Sequence, residues 1–301
     1  MDESEWLADR FEELRPHLRA VAYRMLGSLT EADDAVQDAW LRLSQSDADA
    51  VENLGGWLTT VVARVCLNML RSRNMRRELS LSAHVPDPII ERESELQPEN
   101  EALLADSVGL ALLVVLDTLA PAERLAFVLH DMFDLPFEEI APMVGRTPTA
   151  ARQLASRARR RVKGTEVRAP APGLARQREV IDAFFSAARG GDFDALVEML
   201  DPDVILRIDG GTSHPKASMV INGATAVARQ AQRGLRASFN RPSFRLHHAI
   251  VNGAAGVVVA LDGQPVTVMG FTFAKDKIVE IDAIADSERV GRIAGGVIAD
   301  E

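Results

Sequence analysis

Residues Gly145–Val162 read GRTPTAARQLASRARRRV, with Arg146, Arg152, Arg157, Arg159, Arg160 and Arg161 and no acid, in a chain of 301 residues whose net charge is −10. Guanidinium groups at this density suit phosphate and base-edge recognition, because each offers a planar fork of donors. A second basic run, Arg64–Arg77 (RVCLNMLRSRNMRR), holds five bases and no acid. Between them, residues 78–107 hold eight acids and one base, whereas residues 1–56 hold thirteen acids and five bases. Charges separated by more than a Debye length of about 8 Å are largely screened, so local clusters outweigh the total. Two basic patches in an acidic chain point to two separate contacts with a polyanion.

The length suits two or three domains. The single cysteine, Cys66, excludes an intrachain disulfide and a thiolate metal cluster, and is expected to be a small buried hydrophobe. The opening MDESEWLADR lacks a basic-then-apolar leader, and no apolar run approaches the roughly 18 residues of a membrane span. A soluble cytoplasmic protein is expected.

The elements that must position the arginines read as follows. Leu14, Leu18, Val21, Ala22, Met25 and Leu26 recur at helical spacing, and Ser28–Glu31 breaks that helix, with Thr30 as the expected N-cap of the next, Glu31–Leu43. A third helix is expected from Trp57 to about Arg73. His84–Asn100, with three prolines and five acids, reads as a linker. Helices resume at Glu101–Leu119, Pro121–Met132, Pro136–Val144 and Pro148–Val162, each of the three prolines suiting a first helical position. The last two form a helix-turn-helix. Gly145 supplies the left-handed residue that ends the first helix, Pro142 should kink that helix or delay its start, and Thr147 caps the second. Ala151, Leu154, Ala155, Ala158 and Val162 make one packing stripe. Thr149, Arg152, Gln153, Ser156, Arg157 and Arg160 are left for the outer face, where Arg and Gln can read bases and Thr and Ser can meet phosphate. After Leu174 come two helices, Arg176–Arg189 and Phe193–Leu200, one more near Ala224–Leu235, and strand-like runs at 204–208, 244–251, 255–261, 265–273 and 278–283. Turn signals Asn252-Gly253, Asp262-Gly263 and Lys275-Asp276 separate the last four, an α+β pattern.

LRAVAYRMLGSLTEADDAVQDAWLRL with GGWLTTVVARVCLNMLRSRNMRRE resembles region 2 of bacterial sigma factors of the extracytoplasmic-function group, within the sigma-70 family. LDTLAPAERLAFVLHDMFDLPFEEIAPMVGRTPTAARQLASRARRRV resembles their region 4. Together the two cover about residues 8–163, in the family's order and with an acidic linker between. The resemblance implies a promoter-specificity subunit of RNA polymerase. It places Asp33, Asp34, Val36, Gln37, Asp38 and Leu41 on the clamp helices of the β′ subunit. A helix face carrying an apolar strip and carboxylates is complementary to a basic coiled coil. It places Trp57, Thr60, Arg64, Asn68, Arg71 and Arg73 on the −10 element, where opened bases are captured and phosphates neutralised. Where the family often has Asp, this chain has Asn68. Arg146, Thr147 and the outer face of the helix-turn-helix would read the −35 element, with region 4 on the β flap.

ARQREVIDAFFSAARGGDFDALVEMLDPDVIL resembles the opening of the SnoaL-like, or nuclear-transport-factor-2-like, cone, a fold that encloses an apolar pocket. Ketosteroid-isomerase relatives pair an Asp base with a Tyr donor. The only tyrosine here is Tyr23, in the first domain, so that chemistry is absent. Asp209, His214, His247 and His248 are the remaining polar candidates, and the two adjacent histidines should face opposite sides of a strand. No enzyme activity, cofactor or metal is expected.

A subgroup of these sigma factors carries such a domain as a fused regulator. Its linker motif Trp-Leu-Pro-Glu-Pro corresponds to His84-Val85-Pro86-Asp87-Pro88, and its Asp-Gly-Gly-Gly-Lys motif to Asp209-Gly210-Gly211, with Lys216 displaced by Thr212–Pro215. The two segments are expected to approach each other. The layout is then region 2 at 1–82, an acidic linker at 83–100, region 4 at 101–164, a Pro/Ala linker at 165–174 and the SnoaL-like domain at 175–301. Expected partners are core polymerase, promoter DNA and the chain's own C-terminal domain, with no membrane, the free protein being a monomer. Two other functions fit parts of the pattern: a helix-turn-helix regulator with a ligand-sensing domain, and a SnoaL-type enzyme tethered to DNA.

Overall fold

The computed structural model describes residues 3–45, 53–76, 83–92, 109–166, 171–211, 214–239 and 241–298. The expected helix start at 101–108, the linker residues 93–100 and the stretch 167–170 lie outside them. The chain divides into two compact units, Met1–Leu79 with Leu112–Glu166, and Ser80–Ala111 with Val167–Glu301.

Among the described residues the first unit consists of helices and short turns. α1 (Glu3–Leu26), α2 (Leu29–Leu43) and α3 (Leu54–Arg76) form a bundle around Leu18, Met25, Ala35, Leu43, Leu58, Val62 and Cys66. Gly27, at φ 69°, closes α1. Contrary to expectation, α2 begins at Leu29 with Ser28 at the extended cap position, so Thr30 lies inside the first turn. α4 (Leu110–Asp117), α5 (Pro121–Phe127), α6 (Phe137–Val144) and α7 (Pro148–Glu166) follow. α5 does not reach Met132 as an α-helix. It passes into a single π turn, Val128–Met132, the usual form in which a helix absorbs an extra residue. Pro136 is the extended cap of α6 rather than its first residue, and α6 runs through Pro142, whose ring is exposed. Arg124, 1% exposed, donates to the Arg24 carbonyl at 3.1 Å and to Asp117 at 3.0 Å. Phe133 stacks edge-on to His17 at 5.2 Å and under the Arg24 guanidinium at 4.9 Å.

The second unit holds one seven-stranded sheet in the order β1-β4-β5-β6-β7-β2-β3. β2 (Leu200–Asp209), β3 (Met219–Asn222), β4 (Arg245–Val251), β5 (Ala254–Leu261), β6 (Gln264–Ala274) and β7 (Lys277–Ile284) are antiparallel to their neighbours except for the parallel pair β2–β7. α8 (Leu174–Gly190), α9 (Phe193–Met199) and α10 (Ala224–Phe239) cover one face. The expected cone interior is packed with rings on that face: Phe184, Phe185, Phe239, Phe244, Phe271 and Phe273, with neighbouring centroids 4.7–6.5 Å apart. α11 (Ser287–Ile298) covers the other face with Val85 and Leu110.

The described part of the segment read as a linker, residues 84–92, packs into this unit, and two of its residues join the sheet. β1 (Ile90–Glu91) pairs with β4, Ile90 opposite Val251. Val85, Pro86, Pro88 and Ile89 are buried. Proline and acid content concealed this. An extended proline-containing segment belongs at a sheet edge, where missing donors cost no ladder bonds.

Candidate nucleic-acid interface and linker latch

In the helix-turn-helix, Gly145 adopts φ 67° and ψ 41°, and its N–H bonds the Ala141 carbonyl. The Thr147 hydroxyl accepts the Ala150 N–H at 3.3 Å. Phe137, Ile140, Val144, Ala151, Ala155, Ala158 and Val162 are buried. This packing leaves Arg146, Thr147, Thr149, Arg152, Gln153, Ser156, Arg157 and Arg160 exposed together. Arg152 lies over the Phe137 ring at 5.3 Å, which holds its fork at the start of the helix. Arg159 and Arg161 are different: they pair with Asp131 and, at 3.5 Å, with Glu123. They anchor α7 to its own unit.

On α3, Trp57, Thr60, Arg64, Asn68 and Arg71 follow helical spacing along one face. Trp57 and Thr60 are half-buried, and the other three exposed. Arg73 is turned inward, paired with Glu31 and donating to the Leu26 carbonyl at 3.1 Å. On α2, Asp33, Asp34, Gln37, Asp38 and Leu41 share an exposed stripe. Val36 does not join it; its side chain is 1% exposed and belongs to the bundle core. Leu41, 47% exposed, supplies the apolar part of the stripe. Asp33 bonds Arg19 at 2.6 and 3.1 Å. A groove of about 290 Å³ between α2 and α3 is lined by Asp38, Arg42, Val65, Asn68, Met69 and Arg73, among others, and sets the two stripes side by side.

Asp209, at the end of β2, is buried. Its carboxylate accepts from the Val85 N–H at 3.0 Å, the Gly211 N–H at 3.0 Å and Arg289 at 2.8 Å, with the His84 ring at 3.0 Å. Burial raises its pKa, but the hydrogen bonds from His84 and the two backbone amides outweigh that and hold the carboxyl well below the usual range. Arg289, from α11, also reaches Asp87 and the Val85 carbonyl. Four residues on, the Ile89 N–H donates to Asn252 at 2.7 Å, and the Asn252 N–H returns a bond to the Ile89 carbonyl at 2.9 Å. Segment 84–89 is thus fastened at both ends. Gly210 and Gly211 fit because side chains do not. A Cβ on Gly210 would overlap the His214 carbonyl, and one on Gly211, at φ 59°, would overlap Asp286. Lys216 stands exposed in a 3₁₀ turn, Pro215–Ala217, outside this cluster.

Arg289 was missed by sequence reasoning. It lies on an amphipathic helix in no motif, and only the fold brings it to a carboxylate 80 residues away. The four polar candidates for catalysis are not gathered. His247 pairs with Val258 and His248 with Val257, on opposite faces, and His248 bonds Asp182 at 3.1 Å. Three strands separate β4, which carries His247, from β2, which ends at Asp209. His214 is exposed, and Tyr23 is in the first unit. Among the described residues no helix is long and apolar enough to cross a membrane, and no cluster of His, Cys, Asp or Glu could hold a metal.

A basic helix-turn-helix in one unit with a three-helix bundle that bears an acidic stripe is the architecture of a transcription initiation module. Models of Sigma-70 region 2, Sigma-70 region 4 and the SnoaL-like domain match residues 10–76, 109–162 and 181–281. The chain is 38% identical over 251 residues to the ECF RNA polymerase sigma factor SigJ of Mycobacterium tuberculosis, covering 83% of this chain and 80% of that protein. It is 34% identical over 273 residues to the probable ECF sigma factor SigI of that organism, with 90% of each covered. The crystal structure of M. tuberculosis SigJ superposes with a TM-score of 0.70 at 32% identity, over 94% of this chain and 97% of that one. The chain belongs to the ECF RNA polymerase sigma factors and carries a fused SnoaL-like domain. It directs promoter-specific initiation, and binds core RNA polymerase and promoter DNA as its family does.

Proposed function

We propose that the two exposed faces of the first unit divide the promoter between them. The α7 face from Arg146 to Arg160 reads the −35 element, and the α3 face from Trp57 to Arg71 holds the −10 element. The Asp33–Leu41 stripe docks on the β′ clamp helices, with region 4 on the β flap. The observation that carries this reading is the sorting of arginines. Arg146, Arg152 and Arg157 are exposed with no ion pair among the described residues, while Arg73, Arg159 and Arg161 are held by carboxylates. A guanidinium left unpaired beside a packed helix is ready to meet phosphate or guanine.

The SnoaL-like domain acts as a non-enzymatic regulator in this reading. It holds the segment that precedes region 4 through Asp209 and Arg289, and so sets how freely region 4 moves relative to region 2. The test is run-off transcription on genomic promoter fragments with purified core polymerase. The full chain should give promoter-specific transcripts; Arg152→Ala should reduce them, and Asp209→Ala should change their yield without abolishing polymerase binding. No promoter-specific transcript from the parent chain refutes the reading of the faces. Unchanged yield from Asp209→Ala refutes the regulatory part alone.

A further inference from the structure

Residues 210–261 contain no Asp or Glu, yet hold Lys216, Arg229, Arg233, Arg236, Arg241 and Arg245. That makes 52 consecutive acid-free residues, on the C-terminal domain of a chain with net charge −10. The fold gathers several of these bases. α10 turns Val227, Ala228, Ala231, Leu235 and Phe239 toward the ring-packed core. Arg229 and Arg233, four residues apart, are left exposed on the opposite side. At the C-terminal end of α10, Arg189 lies over the Phe239 ring at 4.6 Å, and Arg241 and Arg245 flank Phe244, itself 4.7 Å from Phe239. Ten residues of helix separate Arg229 from Phe239, so these bases are spread over about 15 Å of the α10 axis. Among the described residues Arg189, Arg229, Arg233 and Arg241 form no ion pair, unlike Arg207 and Arg289 of the same unit.

The helix dipole favours cations in the last turn of α10. It does not reach Arg229, and it gives no reason for the acids to be missing from β3, β4 and β5. An exposed row of unpaired arginines on a rigid helix, extending over several phosphate spacings, is complementary to a nucleic-acid backbone. We propose that this face is a sequence-independent contact with duplex DNA, made by the C-terminal domain in addition to α7. The choice of duplex DNA as the polyanion rests on the reading of the chain as a promoter-binding sigma factor; the patch itself does not.

The duplex-binding measurement uses the full chain without polymerase, so failure of the sigma-factor reading leaves its outcome unaffected, and binding to core polymerase is measured separately. Binding to a labelled duplex of about 40 base pairs and arbitrary sequence is followed by anisotropy as salt is raised fourfold. Removing three phosphate contacts with Arg229→Gln, Arg233→Gln and Arg241→Gln should lower the slope of log K against log salt by about 2.7, so that the parent loses roughly 40-fold more affinity over that range than the variant. The three Arg→Lys changes should keep the slope, because a point charge suffices for phosphate. A chain with Arg152, Arg157 and Arg160 changed to Gln should retain salt-dependent binding that the combined variant loses. The six side chains are exposed, so thermal melting should not move. Equal affinity and slope for the Arg229/Arg233/Arg241 variant and its parent overturns the proposal. So does unchanged duplex binding with weakened binding to core polymerase, which would make the patch a site for an acidic protein surface.

Discussion

The arginines of α7 and the arginine of α11 use the same fork in opposite settings. Arg152 and Arg157 extend from a packed helix with no ion pair among the described residues, whereas Arg289 is 13% exposed and committed to Asp209, Asp87 and a backbone carbonyl. An unpaired surface arginine contributes little to stability and is available to a ligand. A half-buried, multiply bonded one fixes architecture, and breaking its pairing leaves a charge stranded. The contrast separates residues whose loss should weaken binding from those whose loss should loosen the fold, and it can be tested from both sides.

The strongest break is Asp209→Ala. It removes one of the two carboxylates that hold Arg289, leaving Asp87, and it deprives the Val85 and Gly211 N–H groups of their acceptor, at a combined cost of about 3–5 kcal/mol. Thermal melting should fall, and limited proteolysis should begin within 83–92. The pH dependence has a definite sign. Asp209 is held ionised below the ordinary carboxylate pKa of about 3.9, so its contribution is complete above that value and is lost as pH falls toward the depressed folded value. The stability gap between parent and Asp209→Asn, measured by urea unfolding, should therefore be constant from neutral pH down to about 5 and shrink below 4. A gap that widens on acidification contradicts the latch.

Gly211→Ala comes next. The left-handed φ costs about 1–2 kcal/mol for a residue with a Cβ, and the overlap with Asp286 adds about 1–3 kcal/mol of overpacking. Because Asp286 also accepts the Arg289 N–H at 3.1 Å, displacing it should disturb the same latch. Melting of Gly211→Ala and the double variant with Asp209→Ala should be less than additive, as expected for neighbours in one network.

The helix-turn-helix was legible because every signal in it is local. Gly145, Thr147, Pro148 and the alanine stripe lie within one packing turn of what they affect, so spacing alone determines which arginines face out. β2, β4, β5, β6 and β7 were legible as apolar runs bounded by turn pairs such as Asn252-Gly253, whereas the four-residue β3 was too short to read. The latch was only half legible. Its two motifs could be named, but Arg289 and Asn252, which fasten segment 84–89, are 163 or more residues away in sequence from it. The role of β1 was hidden, because two residues joining a sheet edge leave no periodicity to read. Val36 and Arg73 illustrate the same limit on a smaller scale. Each sits beside exposed positions of the motif, yet one turn of helix geometry directs it inward.

On the binding side, Arg152→Ala should weaken recognition of the −35 element by about 1–3 kcal/mol while melting stays unchanged. Arg159→Ala is the internal comparison: its partner is Asp131, so it should affect stability slightly and promoter affinity less than Arg152→Ala. If the two substitutions weaken DNA binding equally at matched salt, pairing does not distinguish DNA-facing arginines from structural ones.

The smallest effect expected is at Gly145. Its φ of 67° matches that of Gly211 in sign, but a Cβ there would meet nothing within 4 Å. Gly145→Ala should therefore cost only the left-handed penalty, about 1 kcal/mol, with none of the overlap that burdens Gly211→Ala. That penalty falls on the turn that fixes the angle between α6 and α7, so its consequence for DNA should exceed its consequence for melting. Gly145→Asn, which tolerates the left-handed region, should recover most of both. Measuring melting and −35 affinity for the Ala and Asn variants separates backbone conformation from side-chain contact. If Asn fails to rescue, the site requires the absence of a side chain, and the turn lies closer to DNA than its open surroundings in the free protein suggest.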